Sequence, residues 1–137
     1  MLKILIVDDE PLIRKVLNRT LKNIGECHLV DNGKGAIYKY EEALNSGKPF
    51  DLILLDIIMK ETNGLDVLIK IRTMEIVNNT PEDEKVKIII VTGISEVDMV
   101  KKCVSKGCDS YIVKPITTNI IMDKINQIGL LARTSQK

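Results

Sequence analysis

Asp8, Asp9, Asp56, Thr92 and Lys114 each stand directly behind an apolar run, and their types suit one kind of chemistry. Asp56 is the most exposing case. It interrupts a stretch, Leu52, Ile53, Leu54, Leu55 and then Ile57, Ile58, Met59, that otherwise reads as buried chain, and burying an unpaired carboxylate is costly. Three carboxylates brought together repel one another and raise one another's pKa unless cations are present. A hard divalent ion together with Lys114 completes such a group, and Mg²⁺ takes one or two carboxylates while keeping several waters. A carboxylate beside such an ion, a lysine and a hydroxyl can attack phosphorus and hold the resulting acyl phosphate, because phosphoryl transfer depends mainly on positioning and charge neutralisation. Asp56 is the candidate nucleophile.

Taken singly, each residue has a structural explanation. Asp9, ahead of Glu10 and Pro11, could cap a helix; Asp56 could be a solvated strand end, Thr92 a sheet residue, and Lys114 a surface charge before a proline turn. Their joint placement favours chemistry, provided that the intervening elements bring them to one edge. Those elements are legible. Residues 3–7, 52–55, 88–91 and 111–113 are continuous apolar runs of the kind buried on both faces of a parallel sheet, and 27–31 is a weaker one. Between them Ile13, Val16/Leu17, Thr20/Leu21 and Ile24 recur at helical spacing and stop at Gly25; Ala36/Ile37, Tyr40 and Ala43/Leu44 stop at Gly47. Leu65, Leu68 and Ile71/Arg72 mark a third helix, Val97, Val100 and Val104 a fourth ending at Gly107, and Ile121, Ile125 and Ile128 a fifth. Strict alternation predicts an α/β fold with a five-stranded parallel sheet and helices on both faces. In such sheets ligands bind outside the carboxyl ends of the strands, where these polar residues fall.

The remaining features narrow the class. The 137 residues suit one domain over 1–131 with a frayed tail at 132–137. Twenty Lys and Arg against nineteen Asp and Glu leave a charge of +1, so no global field draws the chain to nucleic acid or an anionic membrane. No apolar run approaches the roughly 20 residues that span a bilayer, and the apolar start meets Asp8 and Asp9 too soon for a signal peptide; the expected setting is cytoplasmic. Cys27, Cys103 and Cys108 lack disulfide-framework or zinc spacing and read as small buried hydrophobes. His28, the sole histidine, reads as structural. The polar stretch 78–85 reads as a long surface loop. "DNGKGA" (31–36) lacks the phosphate-loop and dinucleotide spacings and reads as a loop with turn glycines.

The set "VDDE" (7–10), "LLDIIM" (54–59), "NG" (63–64), "VTG" (91–93) and "YIVKP" (111–115) resembles the receiver domain of two-component response regulators, in particular stand-alone receivers of the chemotaxis type, across essentially the whole chain. The resemblance implies a doubly wound, flavodoxin-like sheet of order 2-1-3-4-5 with Asp56 as phosphoacceptor. It implies Mg²⁺ held by Asp9, Asp56 and the main-chain carbonyl of Ile58, with Asp8 acting through water. Thr92 and Lys114 would contact the phosphoryl group, Thr92 and Tyr111 would form the switch, and Lys114–Pro115 would be cis, as proline allows. The implied partners are a sensor histidine kinase or phosphotransfer protein and an output protein; no direct nucleic-acid or membrane contact is implied, and the chain would be a monomer or a weak phosphorylation-dependent dimer. Two positions depart from the family: Lys60 stands where proline usually follows the residue matching Met59, and Asn63 where Asp is frequent.

Rival readings fare less well. Phosphatases of the haloacid dehalogenase type also use an Asp nucleophile with Thr, Lys and Mg²⁺, but need a second Asp two residues on, where Ile58 stands. A pseudo-receiver would not retain all of the site residue types. The receiver part of a longer, DNA-binding regulator remains the main alternative to a stand-alone protein, although these residues hold no recognition helix or basic stripe. The expected protein is a phosphoacceptor switch that promotes its own phosphorylation and dephosphorylation rather than an enzyme acting on a separate substrate.

Overall fold

In the computed structural model, which describes residues 1–131, strands β1 (Leu2–Val7), β2 (Gly25–Val30), β3 (Leu52–Leu55), β4 (Lys87–Thr92) and β5 (Ser110–Val113) alternate with helices α1 (Pro11–Leu21), α2 (Gly33–Asn45), α3 (Gly64–Val77), α4 (Val97–Ser105) and α5 (Thr118–Gln127). All strand pairs are parallel and the order is β2-β1-β3-β4-β5. The expected tail, 132–137, lies outside the described residues.

Period-two alternation divides the strands between two cores. Leu5, Val7, Ile53, Leu55, Ile88 and Ile90 face α2, α3 and α4 through Tyr40, Leu68, Ile71 and Cys103. Ile4, Ile6, Leu52, Leu54, Ile89 and Val91 face α1 and α5 through Leu17, Leu21, Ile121 and Ile125. Both faces are covered, which is why the strands read as unbroken apolar runs.

Several boundaries differ from expectation. Gly25 opens β2 instead of stopping α1, which ends at Leu21; a Cβ there would press within 2.8 Å of the Leu2 carbonyl oxygen, so only glycine lets β2 lie this close to β1. The 31–36 stretch is not an open loop. Asn32 caps α2, its Oδ1 accepting from the Gly35 N–H at 2.7 Å, and both glycines lie in the first turn of the helix. The 78–85 segment carries a short 3₁₀ turn, Glu82–Glu84, and Asn79 takes a left-handed φ of 53°. Cys103 and Cys108 are buried as expected, whereas Cys27 is half-buried. His28 has a structural setting: it pairs with Glu26 at 2.7 Å and meets the Phe50 ring edge-on, centroids 5.4 Å apart. Among the described residues no helix is long and apolar enough to cross a membrane.

Candidate functional site

The strand register assembles the site. Val7 pairs with Leu55, and the ladders run one step further: the Asp8 N–H donates to the Val30 carbonyl at 3.2 Å and the Asp56 N–H to the Val7 carbonyl at 3.0 Å. Asp8 and Asp56 thus emerge side by side from neighbouring strands. Thr92 ends β4 opposite Val113, which delivers Lys114 on the far side, and the Lys114–Pro115 peptide is cis.

Asp8, Asp9, Glu10 and Asp56 each place a carboxylate oxygen within 4.8 Å of the others. Asp8 and Asp56 are buried, Asp9 half-buried and Glu10 exposed. Lys114 enters this group with Nζ 3.0 Å from Asp56 Oδ2, 2.9 Å from Asp8 Oδ2 and 3.2 Å from Glu10 Oε1. The Asp8 contact is an ion pair without hydrogen-bond alignment, while the Asp56 contact is a hydrogen bond. Burial raises the Asp8 carboxyl above its ordinary value, against the opposing pull of the Glu10 N–H and of Lys114. Burial would lower the Lys114 ammonium, yet its contacts with the Asp8 and Asp56 carboxylates outweigh this and hold it above the ordinary lysine value. The ammonium is therefore a fixed positive charge against the Asp56 carboxylate.

The other oxygen, Asp56 Oδ1, accepts from the Ile58 N–H at 3.1 Å. Thr92 is fully buried and its hydroxyl has no hydrogen-bond partner among the described residues. An orphaned buried hydroxyl is costly, and a group seated beside Asp56 would supply its acceptor. The donor set fits a hard cation in the same way: clustered carboxylate oxygens with one ammonium leave uncompensated negative charge that oxygen-ligated ions neutralise. Tyr111 is half-buried, donates its hydroxyl to the Ile94 carbonyl at 2.7 Å, and its phenol is pushed up to about 12 by burial first and then by Cys103, Glu96, Cys108 and Asp56.

Residues 4–126 match the model of the response regulator receiver domain. The chain belongs to that family. It is similar to the chemotaxis protein CheY of Listeria monocytogenes, 31% identical over 130 residues that cover 93% of this chain and 98% of the relative. It is 33% identical over 117 residues to the transcriptional regulatory protein MalR of Bacillus subtilis, covering 84% of this chain but 45% of that protein, so it spans about half of MalR's length. Among solved structures, a two-component response regulator from Clostridium difficile superposes with a TM-score of 0.77 at 28% identity, covering 93% of this chain and 95% of the other.

Within this receiver the structure brings Asp8, Asp9, Asp56 and Lys114 into one cluster, with Thr92 on the adjoining strand. The structural alternative for Asp9, a helix cap, does not form. Glu10 occupies the cap position of α1 without a side-chain capping bond, the Asp8 carboxylate takes the Glu10 N–H, and Asp9 Oδ2 instead accepts from the Lys60 N–H at 3.0 Å. The departures at 60 and 63 leave the loop ordered: Asn63 Oδ1 caps α3 by accepting from Leu65 N–H at 2.8 Å, and Ile58 and Asn63 form an antiparallel bridge. Glu10 as a partner of Lys114 was not foreseen, since an acid before Pro11 signals only a helix start. At the opposite edge a second charged group also escaped notice: buried Glu75 pairs with Arg72 at 2.7 Å and accepts from Val86 N–H, while Arg72 reaches Gly107 and Asp109. Glu75 lies four residues after Ile71 on the apolar stripe, a signal that would have marked it.

Proposed function

We propose that Asp56 accepts a phosphoryl group from the phosphohistidine of a sensor histidine kinase or phosphotransfer protein and that the modified chain switches its affinity for an output protein. The observation that carries this reading is the Lys114 ammonium 3.0 Å from Asp56 Oδ2 in a carboxylate cluster. An Asp56 oxygen attacks phosphorus, the P–N bond of the donor breaks, and the imidazole leaves with the bond's electrons. Lys114 turns to the transferred oxygens, and the unpartnered Thr92 hydroxyl donates to another. Asp9, Asp56 and the Ile58 carbonyl would hold Mg²⁺, with Asp8 acting through water; the ion would supply charge neutralisation for the phosphoryl oxygens.

The switch follows from the same contacts. Thr92 moves toward the new oxygens, the space it leaves admits the Tyr111 ring, and the Tyr111–Ile94 bond is exchanged. The phosphoryl group thus favours one of two conformations by as much as its contacts differ between them. With Ile58 two residues past the acceptor there is no general acid of the phosphatase kind, so the chain is a phosphoacceptor rather than an enzyme with a separate substrate. The similarity to the listerial chemotaxis protein over nearly all of that protein's length supports a receiver of the chemotaxis type. The match to MalR favours, as the second reading, the receiver part of a longer regulator. Three free cysteines suit a reducing, cytoplasmic setting.

Acetyl phosphate with MgCl₂, followed by intact-mass measurement, tests the reading. One phosphoryl adduct is expected on the wild type and none on Asp56→Asn, whose nearly isosteric amide preserves the fold. An undiminished adduct on the folded variant overturns the assignment.

A further inference from the structure

Asp9 is tied to a segment far away in the chain: its Oδ2 accepts from the main-chain N–H of Lys60, 3.0 Å away and 51 positions on. Position 60 is where receivers usually carry proline, which has no N–H to give. This bond therefore exists because the residue is not proline, and the nature of the side chain is immaterial to it.

We propose that the Lys60 main-chain amide is a positioning group that orients the Asp9 carboxylate for a divalent cation; this rests on the reading of Asp9 as a cation ligand given above. A carboxylate has two oxygens. With Oδ2 held by the amide, rotation about the side chain is restricted and Oδ1 is the oxygen left for the ion. The amide also offsets part of the Asp9 charge that Asp8 and Asp56 oppose, and hydrogen bonds to ionised acceptors are the stronger kind. The donor is itself anchored. The Ile58–Asn63 bridge, the Asn63 cap on Leu65 and the Ile58 N–H on Asp56 Oδ1 fasten the loop on both sides of Lys60. One loop thus carries the Ile58 carbonyl and orients Asp9, so two ligands from distant parts of the sequence are placed before the ion arrives, which lowers the ordering cost of binding.

Two measurements test this. In calorimetric titration of the full chain with MgCl₂, Lys60→Pro, which removes the N–H, should bind about fivefold or more weakly than Lys60→Ala, which keeps it and should match the wild type. In the metal-free wild type, the Lys60 amide proton should resonate downfield and move upfield in Asp9→Ala; this readout needs neither metal nor the proline variant, and so holds if Lys60→Pro fails to fold. Equal Mg²⁺ affinity of folded Lys60→Pro and Lys60→Ala overturns the positioning role, as does a Lys60 amide shift indifferent to Asp9→Ala. A wild type that binds no Mg²⁺ while its Lys60 amide still responds to Asp9→Ala overturns instead the reading of Asp9 as a ligand, and with it the coupling.

Discussion

Gly64 is the residue on which the position of Asp56 depends most directly. It opens α3 against the end of β3, its N–H donating to the Ile57 carbonyl at 2.8 Å. A Cβ at this position would overlap the Asp56 carbonyl oxygen and lie 2.7 Å from Ile57 Cα. Both obstacles are backbone, so no side-chain rotation relieves them. Moving Ile57 Cα from 2.7 Å to the 3.4 Å at which ordinary contact begins requires a retreat of about 0.7 Å, and the carbonyl must move further. Overpacking of this kind costs about 1–3 kcal/mol, and misplacing a reacting group by about 1 Å costs on the order of 10²-fold in rate. Gly64→Ala should therefore lose about 1–3 kcal/mol in urea titration followed by circular dichroism. Its phosphorylation by acetyl phosphate at saturating Mg²⁺ should slow by at least about tenfold. Gly33→Ala is the control. Its Cβ would crowd only side chains, those of Thr62 in the loop before α3 and of Val67 on α3, so it should lose stability while slowing phosphorylation of the folded protein less than Gly64→Ala does. Folded Gly64→Ala that is phosphorylated within about twofold of the wild-type rate, or Gly33→Ala that slows as much, refutes the argument.

Two further outcomes are expected. Arg72→Ala strands the buried Glu75 carboxylate and removes the bonds to Gly107, Val86 and Asp109, so it should cost about 3–5 kcal/mol, measured by urea titration, with the phosphorylation rate of the folded variant unchanged; a loss below about 1 kcal/mol contradicts the ascribed role. Hydrolysis of the acyl phosphate needs an in-line water, and Ile58, 59% exposed, and half-buried Ile94 offer no side-chain group to orient one; Ile58→Asn with Ile94→Glu should shorten the phospho-state lifetime followed by intact mass, and an unchanged lifetime with Mg²⁺ affinity retained refutes this.

Much of the fold is legible in the amino-acid pattern alone. Runs such as 52–55 and 88–91 are apolar without alternation because the sheet is covered on both faces, and the helix stripes of Leu17/Leu21 and Ile121/Ile125 face the core as their spacing requires. Asp56, Lys114 and their companions were visible for the same reason: in a parallel sheet the residue after each strand must lie on one edge, whatever its distance along the chain. Periodicity records which face of an element is buried. It does not record which distant backbone comes near. Gly25 looked like a helix stop and instead opens β2 tight against the Leu2 carbonyl; Asp9, singled out as a cation ligand, is also held by the amide of Lys60; Glu10 looked like the prelude to a helix and reaches Lys114, 104 positions away. These outcomes depend on how loops pack after the sheet has formed, because main-chain N–H groups are common to nearly every residue and only three-dimensional approach decides which carboxylate each one meets.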